Sequence, residues 1–198
     1  MIQFINDYDV EPYNLFKEKY NAALSMNQSY IEAISVSSFS LKENEVNSRF
    51  VNLKFVDGKK FIFFTNYSSP KANQFLQHNQ ISINIFWDSI NTQIRFKAKI
   101  KKTSLEYNQK YFSNRSESKN ALAISSNQSS KIGSYDQIIQ KYNISLNEAN
   151  LKVCPKYWGG FYFIPYEMEF WVGHHNRINK RILYQFNNAD WKKSILEP

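Results

Sequence analysis

The sequence predicts an α+β protein built on an antiparallel barrel or folded sheet. Three observations carry that expectation. "QISINIFW" and "NTQIRFKAKIKK" alternate apolar and polar residues with the period of two that marks a half-buried strand. Two apolar runs flank Asp57-Gly58, the composition of a tight hairpin turn. Helical segments are inserted between strands rather than alternating with them one for one, which argues against a doubly wound parallel sheet.

Taken in order, "EPYNLFKEKYNAAL" opens with Pro12 near a helix start and places Leu15, Tyr20 and Ala23 at helical spacing. "SYIEAISVSSF" reads as a strand, and "NSRFVNLKFV" and "KKFIFFTN" as the arms of the hairpin. "SSPKANQFLQHN" is a short helix with a serine cap and Pro70 in its first turn. Ile81, Ile83, Ile85 and Trp87 share one strand face; on the next strand Ile94, Phe96, Ala98 and Ile100 face inward, opposite Gln93, Arg95, Lys97, Lys99 and Lys101. Thr103 and Glu106 have capping-box spacing before a helix through "LEYNQKYFSN", and Ser145 and Glu148 repeat that signal. "SESKNALAISSNQSSKI" reads as helix and turn. The last third returns to strands: "GGFYFIPY", "EMEFWVG", "RILYQF", an Asn187-Asn188 turn and a final strand through Trp191. With no repeat and no low-complexity linker, we expect one domain over residues 1–198. It has an N-terminal helical segment (1–28) and a barrel with inserted helices (29–198).

A 198-residue chain with 42% hydrophobic and 17% aromatic residues is globular rather than disordered in composition. Its formal net charge of +8 favours anionic partners: nucleic acid, an acidic membrane surface or small phosphates. The single cysteine, Cys154, permits no disulfide framework within one chain and fits a reducing compartment. The N-terminus lacks the basic start and apolar core of a secretory signal, and no run of about 18 apolar residues occurs. The expectation is a cytoplasmic protein with no membrane partner. Aromatic and basic content suits single-stranded nucleic acid, but no RNP-like or helix-turn-helix pattern appears, so none is expected.

Several cations could carry chemistry. His174 and His175, adjacent on a strand, would point to opposite faces, and no Cys or acidic cluster has zinc-like spacing, so no metal is expected. Arg177, Asn179 and Arg181 share a face if their stretch is extended, a donor-rich surface for phosphate or a planar heterocycle; a solvated strand edge is the plainer alternative. Tyr111, Arg115 and Lys119 form one stripe if the helix runs that far. Lys54 lies within the apolar "FVNLKFV", where burying its charge is expensive without compensation. Gln128 and Ser129 precede a predicted helix, where amides and hydroxyls bind an anion or simply cap it.

In order, "SRFVNLKFVDGKKFIFFTNYSSPKANQF", "TQIRFKAKI", "YFSNRSES", "SNQSSKI", "WGGFYFIPYEMEFW" and "NRINKRILYQF…W…ILEP" resemble successive blocks of the pyridoxine/pyridoxamine 5′-phosphate oxidases. The likeness runs from about residue 10 to the C-terminus. It implies the FMN-binding split barrel, a homodimer and FMN at the subunit interface. By that resemblance Arg49, Lys71, Gln128 and Ser129 hold the FMN phosphate and ribityl chain, and Phe64 and Thr65 line the cofactor. Gln93 bonds the flavin ring, while Trp171 and Arg181 close the site. Lys54, Tyr111 and Arg115 match the clamp on the substrate's 5′-phosphate. Arg177 lies against the substrate ring, and Arg177 and Asn179 stand at the catalytic positions. The implied chemistry is hydride transfer from C4′ of pyridoxamine or pyridoxine 5′-phosphate to flavin, which O2 reoxidises with release of H2O2.

The chain departs from the family pattern at several positions. Pro70 replaces an arginine at the FMN phosphate, and Asn179 replaces a histidine. Lys119 stands where the phosphate clamp has a serine, Thr92 replaces an arginine, and Ala121-Leu122-Ala123-Ile124 replaces "IGAW". These leave two alternatives open: a divergent flavin oxidase or reductase of another heterocycle, similar to the phenazine-biosynthetic enzymes, or a noncatalytic flavin- or B6-binding protein.

Overall fold

The computed structural model describes residues 1–198. Nine strands and five α-helices run in the order β1 (Gln3–Ile5), α1 (Glu11–Ser25), β2 (Ala33–Ser40), β3 (Glu45–Asp57), β4 (Lys60–Asn66), α2 (Pro70–Gln77), β5 (Gln80–Trp87), β6 (Thr92–Lys102), α3 (Leu105–Ser113), α4 (Glu117–Ser125), α5 (Tyr135–Glu148), β7 (Trp158–Val172), β8 (Lys180–Asn187) and β9 (Asp190–Leu196). Strands β3, β2, β5, β6, β7 and β4 pair in that order, and β4 returns to β3, closing a ring. Closure removes the exposed edges that an open sheet would present. The arm β8–β9 continues from the second half of β7, and β1 lies parallel to the end of β3.

The barrel interior arises from the alternation in the sequence. Ile81, Ile83, Ile85 and Trp87 of β5 and Ile94, Phe96, Ala98 and Ile100 of β6 are all buried. Helix α1 plugs one end. Its Phe16, fully buried, meets the rings of Phe61, Trp87 and Phe96 at centroid distances of 5.1, 5.7 and 5.8 Å. Burying one such side chain contributes roughly 2–3 kcal/mol, which anchors the helix to the barrel. Leu15, expected inward, is only partly buried, because Pro12, Tyr13, Phe16, Tyr20 and Ala23 form the inner stripe.

Two local irregularities shape the face of the barrel beside α3. The β3–β4 hairpin turns at Gly58, whose φ of +54° suits glycine. Its ladder then slips: Phe55 faces Ile62, but Leu53 faces Phe63, so Lys54 is one extra residue, a β-bulge. Second, the two glycines of the "WGG" run let other chains approach β7. A Cβ on Gly159 would collide with Asn108 Nδ2 and Tyr67 Oη, and one on Gly160 would come within 2.7 Å of Thr103 Oγ1.

Several local expectations need correction. The cap of α3 is Ser104, whose hydroxyl accepts from Tyr107 N, because Thr103 turns its own hydroxyl to Gly160 O and Asn108. Ser145 starts no helix; it lies inside α5, which Ser134 caps through Gln137 N. The stripe helix stops at Ser113, and a separate helix begins at Glu117. Residues 174–179 are not extended: Arg177 has φ of +59°, and His174 N donates to Asn179 Oδ1. The segment is a loop in which the paired imidazoles are exposed, so period-two facing does not apply there.

Candidate active site

A cavity of about 620 Å³ opens among the β3–β4 hairpin, α2, the α3–α4 pair and the start of β7. Four cations line it, Lys54, Lys71, Arg115 and Lys119, with no carboxylate among the lining residues. Such an excess of positive charge in a concave, partly apolar wall suits an anionic ligand.

At one end the bulge turns Lys54 and Phe55 to the same side of β3, while Leu53 and Val56 stay in the core. Lys54 Nζ reaches Glu32 at 3.8 Å, outside the cavity lining. Burial lowers the Lys54 pKa, the nearby Lys119 and Arg115 lower it further, and Glu32 opposes them. Tyr111, Arg115 and Lys119 all reach this end although no continuous helix joins them. The break at 114–116 places Arg115 in the linker, where its guanidinium lies 4.5 Å from the Trp158 ring centre and its Nη1 donates to Asn120 Oδ1 at 3.1 Å. Tyr111 stacks on Phe64 at 3.7 Å, and Phe64 in turn on Trp158 at 5.3 Å, giving the wall a flat aromatic surface. Burial raises the Tyr111 pKa and lowers that of Arg115.

At the other end Gln128 Oε1 accepts from Thr65 Oγ1 at 3.0 Å, Lys71 Nζ at 3.0 Å and Asn66 N at 3.4 Å. Lys71 is only 9% exposed, and its remaining bond goes to Ser69 Oγ. Burial, then the charge of Arg49, brings its pKa down to about 8. Arg49 itself does not line the cavity. It leaves the opposite face of β3 from Lys54 and donates to Ser38 Oγ, Val36 O and Gln74 Oε1, all neutral. Ser129, with φ of +69°, lines a smaller adjoining pocket instead.

The remaining expected residues form a second group. Gln93 on β6 pairs with Trp171 on β7, which pairs with Arg181 on β8, so the three stand in one row across the sheet. Glu169 Oε1 fixes Arg181 through its Nε at 3.0 Å, and Glu169 Oε2 binds Arg95. Arg177 and Asn179 lie in the adjacent loop. None of these five lines the cavity of the same chain. Trp158, Asn120 and Glu32 also shape the site, and sequence reasoning missed them. Only Trp158, opening a strand before two glycines, carries a local signal.

Residues 16–142 match the pyridoxamine 5′-phosphate oxidase family, and residues 158–198 match the pyridoxine 5′-phosphate oxidase C-terminal dimerisation region. The chain belongs to the pyridoxine/pyridoxamine 5′-phosphate oxidase family. This family member is 33% identical over 197 residues to the pyridoxine/pyridoxamine 5′-phosphate oxidase 1 of Hydrogenovibrio crunogenus, covering 97% of this chain and 90% of that one. It is also 33% identical to the corresponding oxidase of Aliarcobacter butzleri, covering 98% and 92%. Among solved structures, PhzG from Burkholderia lata in complex with tetrahydrophenazine-1-carboxylic acid superposes with a TM-score of 0.89 at 22% identity, over 98% of this chain and 100% of that one. A pyridoxamine 5′-phosphate oxidase-related, FMN binding protein from Nostoc punctiforme gives 0.79 at 12%, over 96% and 99%. The family fold is thus the FMN-binding split barrel. The dimerisation region is β7–β9, the strands that carry the row Trp171–Arg181.

Proposed function

We propose that this protein is an FMN-dependent oxidase that converts pyridoxamine or pyridoxine 5′-phosphate to pyridoxal 5′-phosphate, with O2 reduced to H2O2. It acts as a homodimer with FMN at the subunit interface. The observation that carries this reading is the acid-free cavity with cations at both ends, Lys54, Arg115 and Lys119 at one and Lys71 at the other. One phosphorylated ligand at each end answers that charge.

The residues present fit FMN. Lys71 is a buried ammonium that bonds only neutral oxygens, and Arg49, half-buried nearby, does the same. Both gain from a phosphate, since a buried charge is stabilised by an opposite one. Thr65 and Gln128 add neutral donors, and Phe64 an apolar face. Bound flavin supplies the two-electron acceptor for the substrate's C4′ hydride. The chain's own residues bind and orient. Lys54, Arg115, Lys119 and Tyr111 hold the substrate's phosphate, far from the reacting carbon, and Trp158 keeps Arg115 in place. Anchoring at a remote group limits the poses open to the ring, which lowers the entropic part of the barrier to reaction. Gln93, Trp171, Arg177, Asn179 and Arg181 complete the partner's site in the proposed homodimer, a reading supported by the place of the last four in the matched dimerisation region, 158–198. Asn179 both donates and accepts but holds no titrating proton near neutrality, so it contributes hydrogen bonding only.

A second reading, oxidation of another reduced heterocycle, draws on Pro70 and Asn179, where this chain lacks the family's arginine and histidine. Three cations and a phenol around one end suit a dianionic phosphate better than a monoanionic carboxylate, which favours the B6 substrates. The test is anaerobic. Pyridoxamine or pyridoxine 5′-phosphate added to the FMN-loaded protein should bleach the flavin absorbance. Firm FMN binding with no bleaching by either vitamer supports the second reading instead.

A further inference from the structure

We propose that Asn120 is a positioning residue for Arg115, setting the guanidinium at the phosphate end of the cavity through a fully buried side-chain amide. The inference deepens the proposed function and rests on it for the identity of the ligand.

The geometry is specific. Asn120 sits in the first turns of α4 with no exposed surface. Its Nδ2 donates to Phe112 O at 2.8 Å, in the last turn of α3, and to Leu151 O at 2.9 Å, in the loop before β7. Both amide hydrogens are thereby used, which fixes the orientation of the amide plane. Oδ1 must then face Arg115, and it accepts from Nη1 at 3.1 Å. The same side chain therefore joins the end of α3, the body of α4 and the 151 loop, and presents one acceptor to one guanidinium.

That acceptor matters because Arg115 has no carboxylate partner, so no ion pair sets its direction. Its aromatic neighbours, the Trp158 face at 4.5 Å and the Phe112 ring at 5.8 Å, hold the guanidinium without a directional acceptor and leave it free to turn within its plane. The bond to Asn120 removes this freedom and uses one of the five N–H donors, leaving the others for an anion. A neutral acceptor orients the cation without neutralising it. Aspartate at the same position would cancel its charge and, lacking N–H donors, would lose the bonds to Phe112 O and Leu151 O. Asn120 touches neither ligand, and acts only through Arg115.

The experiment is a double-mutant cycle on the FMN-loaded homodimer, read by calorimetric Kd rather than turnover. Asn120→Ala should weaken pyridoxine 5′-phosphate by about three- to tenfold, the range of one ordinary net hydrogen bond, because the guanidinium itself stays in place to bind. It should leave the Kd of unphosphorylated pyridoxine unchanged. In an Arg115→Ala background the same substitution should have no further effect on pyridoxine 5′-phosphate, because the residue it acts through is gone. Equal losses for both ligands, or an additive loss in the Arg115→Ala background, would overturn the inference and leave Asn120 a packing residue. Should Asn120→Ala not fold, Asn120→Ser serves, since it keeps a small neutral polar side chain that cannot span all three bonds. It should weaken pyridoxine 5′-phosphate about three- to tenfold while sparing pyridoxine, and an unchanged phosphate affinity would refute the idea. A wild-type protein that binds FMN but not pyridoxine 5′-phosphate overturns the proposed substrate instead, which distinguishes the two failures.

Discussion

Lys71 gives the most quantitative test of the cofactor end. Its ammonium is buried beside Arg49, and its pKa falls from the ordinary 10.5 to about 8. The difference corresponds to about 3 kcal/mol between the charged and neutral forms, an order-of-magnitude figure. A phosphate placed on Lys71 removes that penalty and restores the high pKa. Binding FMN must then draw a proton from solvent wherever the free protein has lost it: about 0.9 proton at pH 9 but only about 0.1 at pH 7. By linkage the affinity for FMN should fall about tenfold per pH unit from roughly pH 8 upward. Calorimetric titration of the apoprotein with FMN in two buffers of different ionisation enthalpy measures the uptake directly. Lys71→Met should bind FMN more weakly at pH 7 and show no uptake at pH 9. The sign for stability is opposite to that of an ordinary paired lysine. The unfolded chain holds the proton between about pH 8 and 10.5 while the fold does not, so the apoprotein gains stability as pH rises through that window. Lys71→Met should therefore stabilise the apoprotein at pH 7, and its advantage should vanish by pH 10.5. No proton uptake at pH 9, or equal uptake by the methionine variant, would refute the placement of the phosphate at Lys71.

Three other perturbations test different parts of the structure. Arg115→Ala should raise the KM for pyridoxine 5′-phosphate about ten- to a hundredfold, the equivalent of one charged hydrogen bond, with FMN affinity almost untouched; loss of FMN in a fluorescence titration would mean that Arg115 serves the other phosphate. Pro70→Arg adds a cation at the exposed first position of α2, next to Lys71, and should tighten FMN about tenfold. An unchanged Kd would show that Arg49 already fills that role. Gly159→Ala drives a Cβ into the buried Asn108 amide and the Tyr67 hydroxyl. It should cost about 1–3 kcal/mol in urea unfolding, and a neutral result would mean that α3 shifts freely on β7.

The barrel is legible in the sequence because its strands repeat every second residue. The inward sets on β5 and β6 stand out directly, and Asp57-Gly58 locates the hairpin. Helix limits are harder: adjacent hydroxyls compete to cap α3, which Ser104 wins over Thr103, and the capping-box spacing at Ser145 recurs by chance inside α5, which Ser134 caps. The cavity depends on contacts that local pattern does not contain. A lysine at position 54 is conspicuous in an apolar strand, but the bulge that turns it outward appears only in the pairing of β3 with β4. Tyr111, Arg115 and Lys119 meet at one end for a different reason from the one their spacing suggests: a break between two helices, not a shared face. Asn120 gives no signal at all, because asparagine in a helix carries no sign of what its amide holds.

The slip in the hairpin has an evolutionary side. Were Lys54 deleted, Leu53 and Phe55 would become neighbours opposite Phe63 and Ile62, and the two arms would run in step from Lys60 to the end of the ladder. Inward and outward positions would then alternate without interruption. The shortened chain would give up the Lys54–Glu32 contact but keep Leu53 and Val56 in the core, and the cavity would lose one of its four cations. A stability screen and a phosphate-binding screen should therefore rank that deletion differently, the second penalising it more.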